Sequence, residues 1–369
     1  MRTASFLFVL PTDRVGGAER VLKNCVIDIS SRKNTKVTVL FLSGSESGAW
    51  SDLSDNQNVS LVFFFSKHFI TSIPALIFNV RDRFPTRYDF CLTSHTHANA
   101  LVSVLRRFRI WRIDRHIARE STVIFDRFSG FSLILFKLMY RSYYDLYYLV
   151  CQTQYMQSKL LEHAPHLSKF RVITLRNPVN IALIKKAKPI LASSNKIKLL
   201  LVGRFVEVKN FDLGIDAVNT LLGQGLEIEL HILGDGINYN KQIAKVKALG
   251  IGQNVIFHGN VSNPYDYMKS IDIGMVTSLK EGFPNVILEM MACKVSAIVA
   301  TPCAGDLDKL PRVFVSDDFS LENFCCCLHR VISFGKYTGT SQFDYANNNN
   351  IGSYVDFLFT QEGNFHLKN

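Results

Sequence analysis

The sequence has no C-x-x-C pair and no Cys/His cluster at metal-ligand spacing, although it holds eight cysteines among its 369 residues. Cys25, Cys91 and Cys151 stand alone, and Cys325, Cys326 and Cys327 sit in an apolar run. That distribution excludes a zinc ribbon or finger and points to reduced, mostly buried thiols rather than a disulfide framework. Nor is there an uninterrupted run of eighteen apolar residues. The nearest stretch, residues 59–80, is broken by Lys67, His68 and Pro74, so no transmembrane span is expected. The short apolar stretch at residues 5–10 has no A-x-A-like cleavage site behind it, so a first buried strand is expected there rather than a signal peptide. The ten prolines and twenty-one glycines follow no period, which excludes collagen-like and repeat architectures. Acid is scarce in the first half. Residues 1–180 hold 24 Lys+Arg against 13 Asp+Glu, and residues 181–369 hold 18 against 18, so the whole formal charge of +11 belongs to the first half. Solubility alone does not require that segregation; it points to an anionic partner surface of phospholipid, nucleic acid or a phosphorylated acceptor.

At 47% hydrophobic and 20% charged, the chain reads as globular and long enough for two domains. Short β-branched or aromatic runs at residues 5–10, 36–42, 59–65, 88–93, 114–118 and 146–151 read as strands. A helical face at residues 17–30 carries Val21, Leu22, Cys25, Val26 and Ile29. The alternation restarts with strands at 197–202, 227–233, 255–258, 271–276 and 297–300, and helices at 210–222, 239–249, 263–270 and 285–293. Such alternation predicts α/β architecture with two doubly wound parallel sheets. Residues 1–180 form the first domain, residues 181–196 a Pro-, Lys- and Ser-rich linker, and residues 197–339 the second domain, with residues from about 340 to 369 packing back on the first. In doubly wound sheets ligands bind outside the carboxyl ends of the strands, so a cleft between the domains is the expected site.

Three segments carry the chemistry. In residues 278–293, SLKEGFPNVILEMMAC, Glu281 sits in a strand-to-helix turn and Glu289 lies eight residues later on the helix. Unpaired N–H groups at a helix start favour anions, so the turn of Gly282, Phe283, Pro284 and Asn285 suits a phosphate or sugar oxygens, with Pro284 marking the boundary. In residues 201–210, LVGRFVEVKN, Gly203 permits a tight turn and Arg204 and Lys209 supply two cations. In the first domain, Gly16 and Gly17 follow the first strand and open a helix, so the backbone there can approach a ligand closely.

These stretches resemble glycosyltransferase family 4: residues 281–289 match its E-x7-E signature, residues 201–210 its first strand and turn in the second domain, and GGAER, residues 16–20, its N-terminal loop. The resemblance runs over nearly the whole chain and implies the two-domain GT-B fold and a retaining, nucleotide-sugar-dependent transferase. It implies that Arg204 and Lys209 neutralise the departing diphosphate, that Glu281 orients the donor sugar, and that Glu289 binds the ribose hydroxyls. Gly16, Gly17, Gly203 and Gly234 would lie along the donor, and His258 would touch the base. Either His95 or His97 of the SHTHAN segment would line the cleft near the acceptor, with Arg119 and Glu120 facing the acceptor too. No cofactor and no metal is implied, the nucleotide sugar being a substrate, with UDP favoured over GDP. The acceptor would be lipid-linked or a polysaccharide or lipopolysaccharide. Arginines 106, 107, 109, 112, 115 and 119, interleaved with Leu105, Phe108, Ile110 and Trp111, suit an anionic membrane interface, as does the aromatic segment 128–148 with Lys137 and Arg141. A cytoplasmic enzyme held peripherally on the inner face of the membrane is the expectation, with no nucleic-acid partner. Two rivals remain, an inactive subunit of a synthase complex and a sugar-nucleotide epimerase drawing acid–base groups from His95, His97 and Glu120. The sequence departs from the family twice: Lys294-Val295-Ser296 replaces Gly-x-Pro, and residues 301–308 carry one glycine and no glutamate.

Overall fold

The computed structural model describes residues 2–42, 47–63 and 87–360. The chain divides into two compact units: unit 1 runs through Pro178 and resumes at Ile351, and unit 2 is Val179–Asn350. Unit 1 is built on strands β1 (Ala4–Leu10), β2 (Thr35–Phe41), β3 (Val59–Phe63), β4 (Arg87–Ser94), β5 (Arg112–Arg119), β6 (Leu146–Cys151) and β7 (Val172–Thr174). They lie parallel in the order β3-β2-β1-β4-β5-β6-β7. Helices α1 (Gly17–Ser30), α2 (Thr96–Arg107), α3 (Ile124–Arg127), α4 (Gly130–Arg141) and α5 (Gln154–His163) connect them. The apolar run at the start of the chain becomes β1, buried along nearly its whole length because helices cover both faces of a parallel sheet.

Unit 2 repeats the plan with β8 (Ile197–Val202), β9 (Ile228–Leu233), β10 (Val255–Gly259), β11 (Ile273–Val276), β12 (Ala297–Ala300) and β13 (Val313–Val315). Their order is β10-β9-β8-β11-β12-β13, again parallel. Its helices are α6 (Ile181–Lys186), α7 (Phe211–Gly223), α8 (Tyr239–Ala248), α9 (Pro264–Met268), α10 (Asn285–Ala292), α11 (Leu321–Ser333) and α12 (Ser341–Asn348). Helix α10 is seated tightly on β11: a Cβ at Gly274 would come within 2.2 Å of Met290 Sδ. In both units the strand order reverses once, at β1/β4 and at β8/β11. These are the switch points where an open α/β sheet leaves a crevice beyond its carboxyl ends.

Several expectations differ in detail. The segment 181–196 is not a bare linker, since α6 inserts Ile181 and Ile184 into the core of unit 2. Helix α12 stays with unit 2, where Ala346 joins that core, and α13 (Ile351–Thr360) packs on unit 1. There Phe359 meets Phe6 and Phe90 edge-on at 5.3 and 5.2 Å, and Arg32 Nη1 donates to Asp356 Oδ1 at 2.5 Å. The residues beyond Thr360, included in the expected return, lie outside the described ones, as does most of the 59–80 stretch. All eight cysteines are free, and six are buried. No helix among the described residues is long and apolar enough to cross a membrane.

The arginine-rich segment is not one basic face. It divides into the end of α2, a turn and β5, and Trp111 is buried. Arg106 donates to Ile113 O at 3.1 Å, Arg115 lies over the Phe90 and Tyr147 rings at 5.4 and 4.8 Å, and Arg119 is fully buried.

Candidate functional site

The switch point of unit 2 brings Lys209 and Glu281 together. The loop after β8 makes a 3-10 turn at Glu207–Lys209 and leaves through Asn210 in the left-handed region, φ 45°. Thr277 Oγ1 donates to Lys209 O at 2.8 Å, and Leu279 N donates to Val208 O at 2.8 Å, so the loops after β8 and β11 are laced together. Across that seam Lys209 Nζ donates to Glu281 Oε1 at 2.5 Å, and Ser278 Oγ donates to the same oxygen at 2.9 Å. The two charged side chains remain 24% and 19% exposed, so a ligand can still reach them. Glu281 N donates to Cys303 O at 2.8 Å and Thr301 Oγ1 to Ser278 O at 2.5 Å, which brings the divergent 301–308 loop into the same scaffold. Arg204, beside this pair in sequence, is exposed.

The turns after β8, β9 and β10 are sewn by their backbones. Gly203 N donates to Leu233 O at 3.0 Å, Phe205 N to Asp235 O at 2.9 Å, and Gly234 N to Gly259 O at 2.7 Å. The tight approach belongs to Gly234 rather than Gly203. Gly234 has φ +132°, and a Cβ there would fall 1.9 Å from Gly203 O, whereas a Cβ on Gly203 meets nothing closer than 3.5 Å. His258, expected against a base, has Nε2 engaged with His231 Nδ1 at 2.9 Å and its ring against Tyr267 at 4.5 Å, leaving Nδ1. Burial lowers its pKa, and lowers that of His231 to about 4.

Helix α10 begins at Asn285 with Pro284 as its N-cap residue, so the turn at Gly282 leads straight into its first turn. Phe283, expected at the donor, is buried with its ring in the unit 2 core, where it anchors the turn. Pro284 is likewise buried. Glu289, on α10, accepts from Tyr265 OH at 3.4 Å.

In unit 1 the switch point lies between the turns after β1 and β4. Glu19 joins them: its Oε2 accepts from Gly16 N at 3.1 Å, and its Oε1 is 3.4 Å from His95 Nε2. The Gly16-x-x-Glu19 spacing, half of a capping box, is the sequence signal for this residue, which motif reading left without a role. His95 Nδ1 donates to Ser94 O at 2.8 Å, so both ring nitrogens face oxygens. Its backbone takes φ 81°, ψ 134°, a costly conformation for a residue with a Cβ. His97, 5.8 Å away ring to ring, is held neutral, with burial and then His95 lowering its pKa to about 4. Gly17 opens α1.

Arg119 and Glu120 do not face an acceptor; at 0% and 1% exposure both are interior. Successive strand residues point to opposite faces, so the two charges part. Arg119 donates to Ser94 Oγ at 3.1 Å and to Asn177 Oδ1. The Glu120 carboxylate accepts from Thr96 Oγ1 (2.9 Å), Asn99 Nδ2 (3.0 Å), Tyr140 OH (3.2 Å) and Tyr143 OH (2.6 Å). With its oxygens filled in this way it braces α2 and α4 rather than offering acid–base chemistry. Deeper still, Thr93 Oγ1 donates to Asn99 Oδ1 at 2.6 Å and so accepts from His116 Nε2 at 2.9 Å, which fixes a neutral His116 protonated on Nε2. Among the described residues no three His, Cys, Asp or Glu side chains are grouped to hold a metal ion.

Residues 184–307 match the family model for glycosyl transferases group 1. That segment contains the Lys209–Glu281 pair and both glutamates of the E-x7-E pattern. The chain is 32% identical over 123 residues to the N-acetylgalactosamine-N,N'-diacetylbacillosaminyl-diphospho-undecaprenol 4-alpha-N-acetylgalactosaminyltransferase of Campylobacter jejuni, covering 33% of this chain and 32% of that protein. It is 32% identical over 114 residues to the lipopolysaccharide 1,6-galactosyltransferase of Salmonella typhimurium, covering 29% and 32%. These alignments span about a third of the relatives' own length. Among solved structures, Anabaena HepE in complex with UDP and glucose superimposes with a TM-score of 0.74 at 16% identity, over 96% of this chain and 98% of that one. The likeness is one of fold: two Rossmann-like α/β domains of the GT-B kind.

Proposed function

We propose that the protein is a retaining glycosyltransferase of the family 4 kind, which moves a sugar from a nucleoside diphosphate, UDP by preference, to a lipid-linked or polysaccharide acceptor. The observation that carries this reading is the Lys209–Glu281 pair at the β8/β11 switch point, with Arg204 exposed in the same loop as Lys209. The match of residues 184–307 and the relatives named for sugar transfer support it. Arg204 and Lys209 neutralise the diphosphate as it leaves, so no metal is needed for its departure. Glu281, freed in part from Lys209 by the incoming phosphate, holds the sugar hydroxyls, and Glu289 holds the ribose. The bond from the anomeric carbon to the phosphate oxygen breaks while the acceptor oxygen bonds on the same face, and the acceptor proton passes to the departing phosphate. Unit 1 receives the acceptor, with the His95 turn held in place by Glu19. A cytoplasmic enzyme at the inner face of a membrane fits an anionic, lipid-linked acceptor and the basic first unit.

Arg204→Ala and Glu281→Ala should each lower transfer at least about a hundredfold, the scale of losing one charge-stabilising group, while leaving the melting temperature of the free protein within a degree or two. Full transfer activity in either purified variant would overturn the assignment. UDP-sugars should raise the wild-type melting temperature by binding the folded state alone, and GDP-sugars less so.

A further inference from the structure

Helix α4, Gly130–Arg141, is apolar on both sides. Its inner face, with Leu133, Phe136, Met139 and Tyr140, packs into unit 1. A surface helix ordinarily turns charge to water on the other side. Here the outer face shows Phe131 at 81% exposure, Ile134 at 56%, Leu135 at 45% and Leu138 at 53%. Their spacing of three and four places them in one stripe. The charged residues of the helix are of one sign: Lys137 and Arg141 on it and Arg127 just before it are exposed cations, and no acid occurs in the sequence between Asp126 and Asp145.

We propose that α4 is a membrane-docking helix, lying in the plane of an anionic lipid surface with Phe131, Ile134, Leu135 and Leu138 sunk among the acyl chains and Lys137 and Arg141 on the headgroup phosphates. Twelve residues of helix reach about 18 Å, short of the roughly 30 Å needed to span a bilayer, so the helix lies in the interface rather than crossing it. A second copy of the chain is a poor occupant, because a two-fold contact through this stripe sets the same helix cations against each other. The inference deepens the lipid-linked acceptor reading by naming the element that brings unit 1 to its acceptor's surface.

The test uses the full chain without nucleotide sugar, so a failure here leaves the donor reading standing, and full transfer in Glu281→Ala, which overturns the donor reading, leaves this one standing. Phe131→Trp adds an exposed indole to a chain whose Trp50 and Trp111 are buried. Its emission should shift to the blue with phosphatidylcholine–phosphatidylglycerol vesicles and little with phosphatidylcholine alone. In co-sedimentation, the combined I134S/L135S/L138S variant should bind the mixed vesicles at least about a hundredfold more weakly, from the lost burial of three side chains. The K137Q/R141Q variant should bind them about 25-fold more weakly, at about fivefold per cation. These side chains are exposed, so melting temperatures should hold. An unshifted Trp emission, vesicle binding unchanged in the serine variant, or a dimer by analytical ultracentrifugation that the serine variant dissolves would each overturn the proposal.

Discussion

At the scale of single residues, the glycines near Arg204 separate two kinds of constraint that look alike in sequence. Gly203 and Gly234 both close strands and both read as turn residues. Only Gly234 has φ +132° and a backbone oxygen 1.9 Å from where a Cβ would sit. Gly234→Ala should therefore destabilise unit 2 by more than about 3 kcal/mol in urea unfolding, because neither the backbone strain nor the clash with Gly203 can relax cheaply. Gly203→Ala meets only the Lys209 stem and the Phe211 ring at 3.5–3.6 Å, and should cost less than about 1 kcal/mol. Equal losses in the two variants would contradict this distinction. The same limit explains Arg119 and Glu120. A strand end beside a site is visible in sequence, but the four donors that fill Glu120 come from residues 96–99 and 140–143, and local pattern does not reveal that they converge.

At the scale of elements, punctuation was legible and surface only in part. Helix α1 occupies residues 17–30 as its apolar spacing implies, and Pro284 announces the start of α10 because proline's fixed φ suits a helix entrance. Strands β7 and β13, three residues each, are too short for any periodicity to show. Of the two segments that look interfacial in sequence, the arginine-rich one has Trp111 and Arg119 in the interior, while the exposed apolar face falls on α4, within the aromatic segment 128–148, where a hydropathy pattern cannot tell the two apolar sides of the helix apart. The departure at Lys294 has a local consequence. It follows α10 with φ 62°, the left-handed position that glycine ordinarily fills after a helix. A side chain there costs about 1–2 kcal/mol. The contact of Lys294 Nζ with the Phe343 ring at 5.2 Å returns roughly 0.5–1 kcal/mol of that. Lys294→Gly should thus stabilise unit 2 by about 0.5–1 kcal/mol, read as a higher urea midpoint; a lower midpoint would mean that the ring contact outweighs the strain.

At the scale of the whole molecule, strand–helix alternation is enough to imply parallel sheets, yet it leaves open which strands are neighbours. The reversals at β1/β4 and β8/β11 follow from pairing that only the folded sheet displays, and they are what bring residues 203–209 beside 278–281. Both units also share a hidden liability to acid. Burial holds His97 and His231 at a pKa of about 4 and His116 well below its ordinary value, so each is neutral in the native state. In the unfolded chain these rings titrate near 6.5. As pH falls from about 6.5 toward 4 the unfolded chain takes up protons that the folded one refuses, so stability falls with falling pH and is regained as pH rises. Each ring kept neutral contributes a slope of up to about 1.4 kcal/mol per pH unit in that window. The two tryptophans, Trp50 and Trp111, both belong to unit 1, so their fluorescence follows that unit while far-ultraviolet circular dichroism follows both. His231→Asn, whose amide can stand in for Nδ1 toward His258, should flatten the acid slope of the dichroism transition and leave that of the tryptophan transition in place. A wild-type urea midpoint that stays level from pH 6.5 to 4 by both probes would contradict the neutral, buried histidines on which this rests.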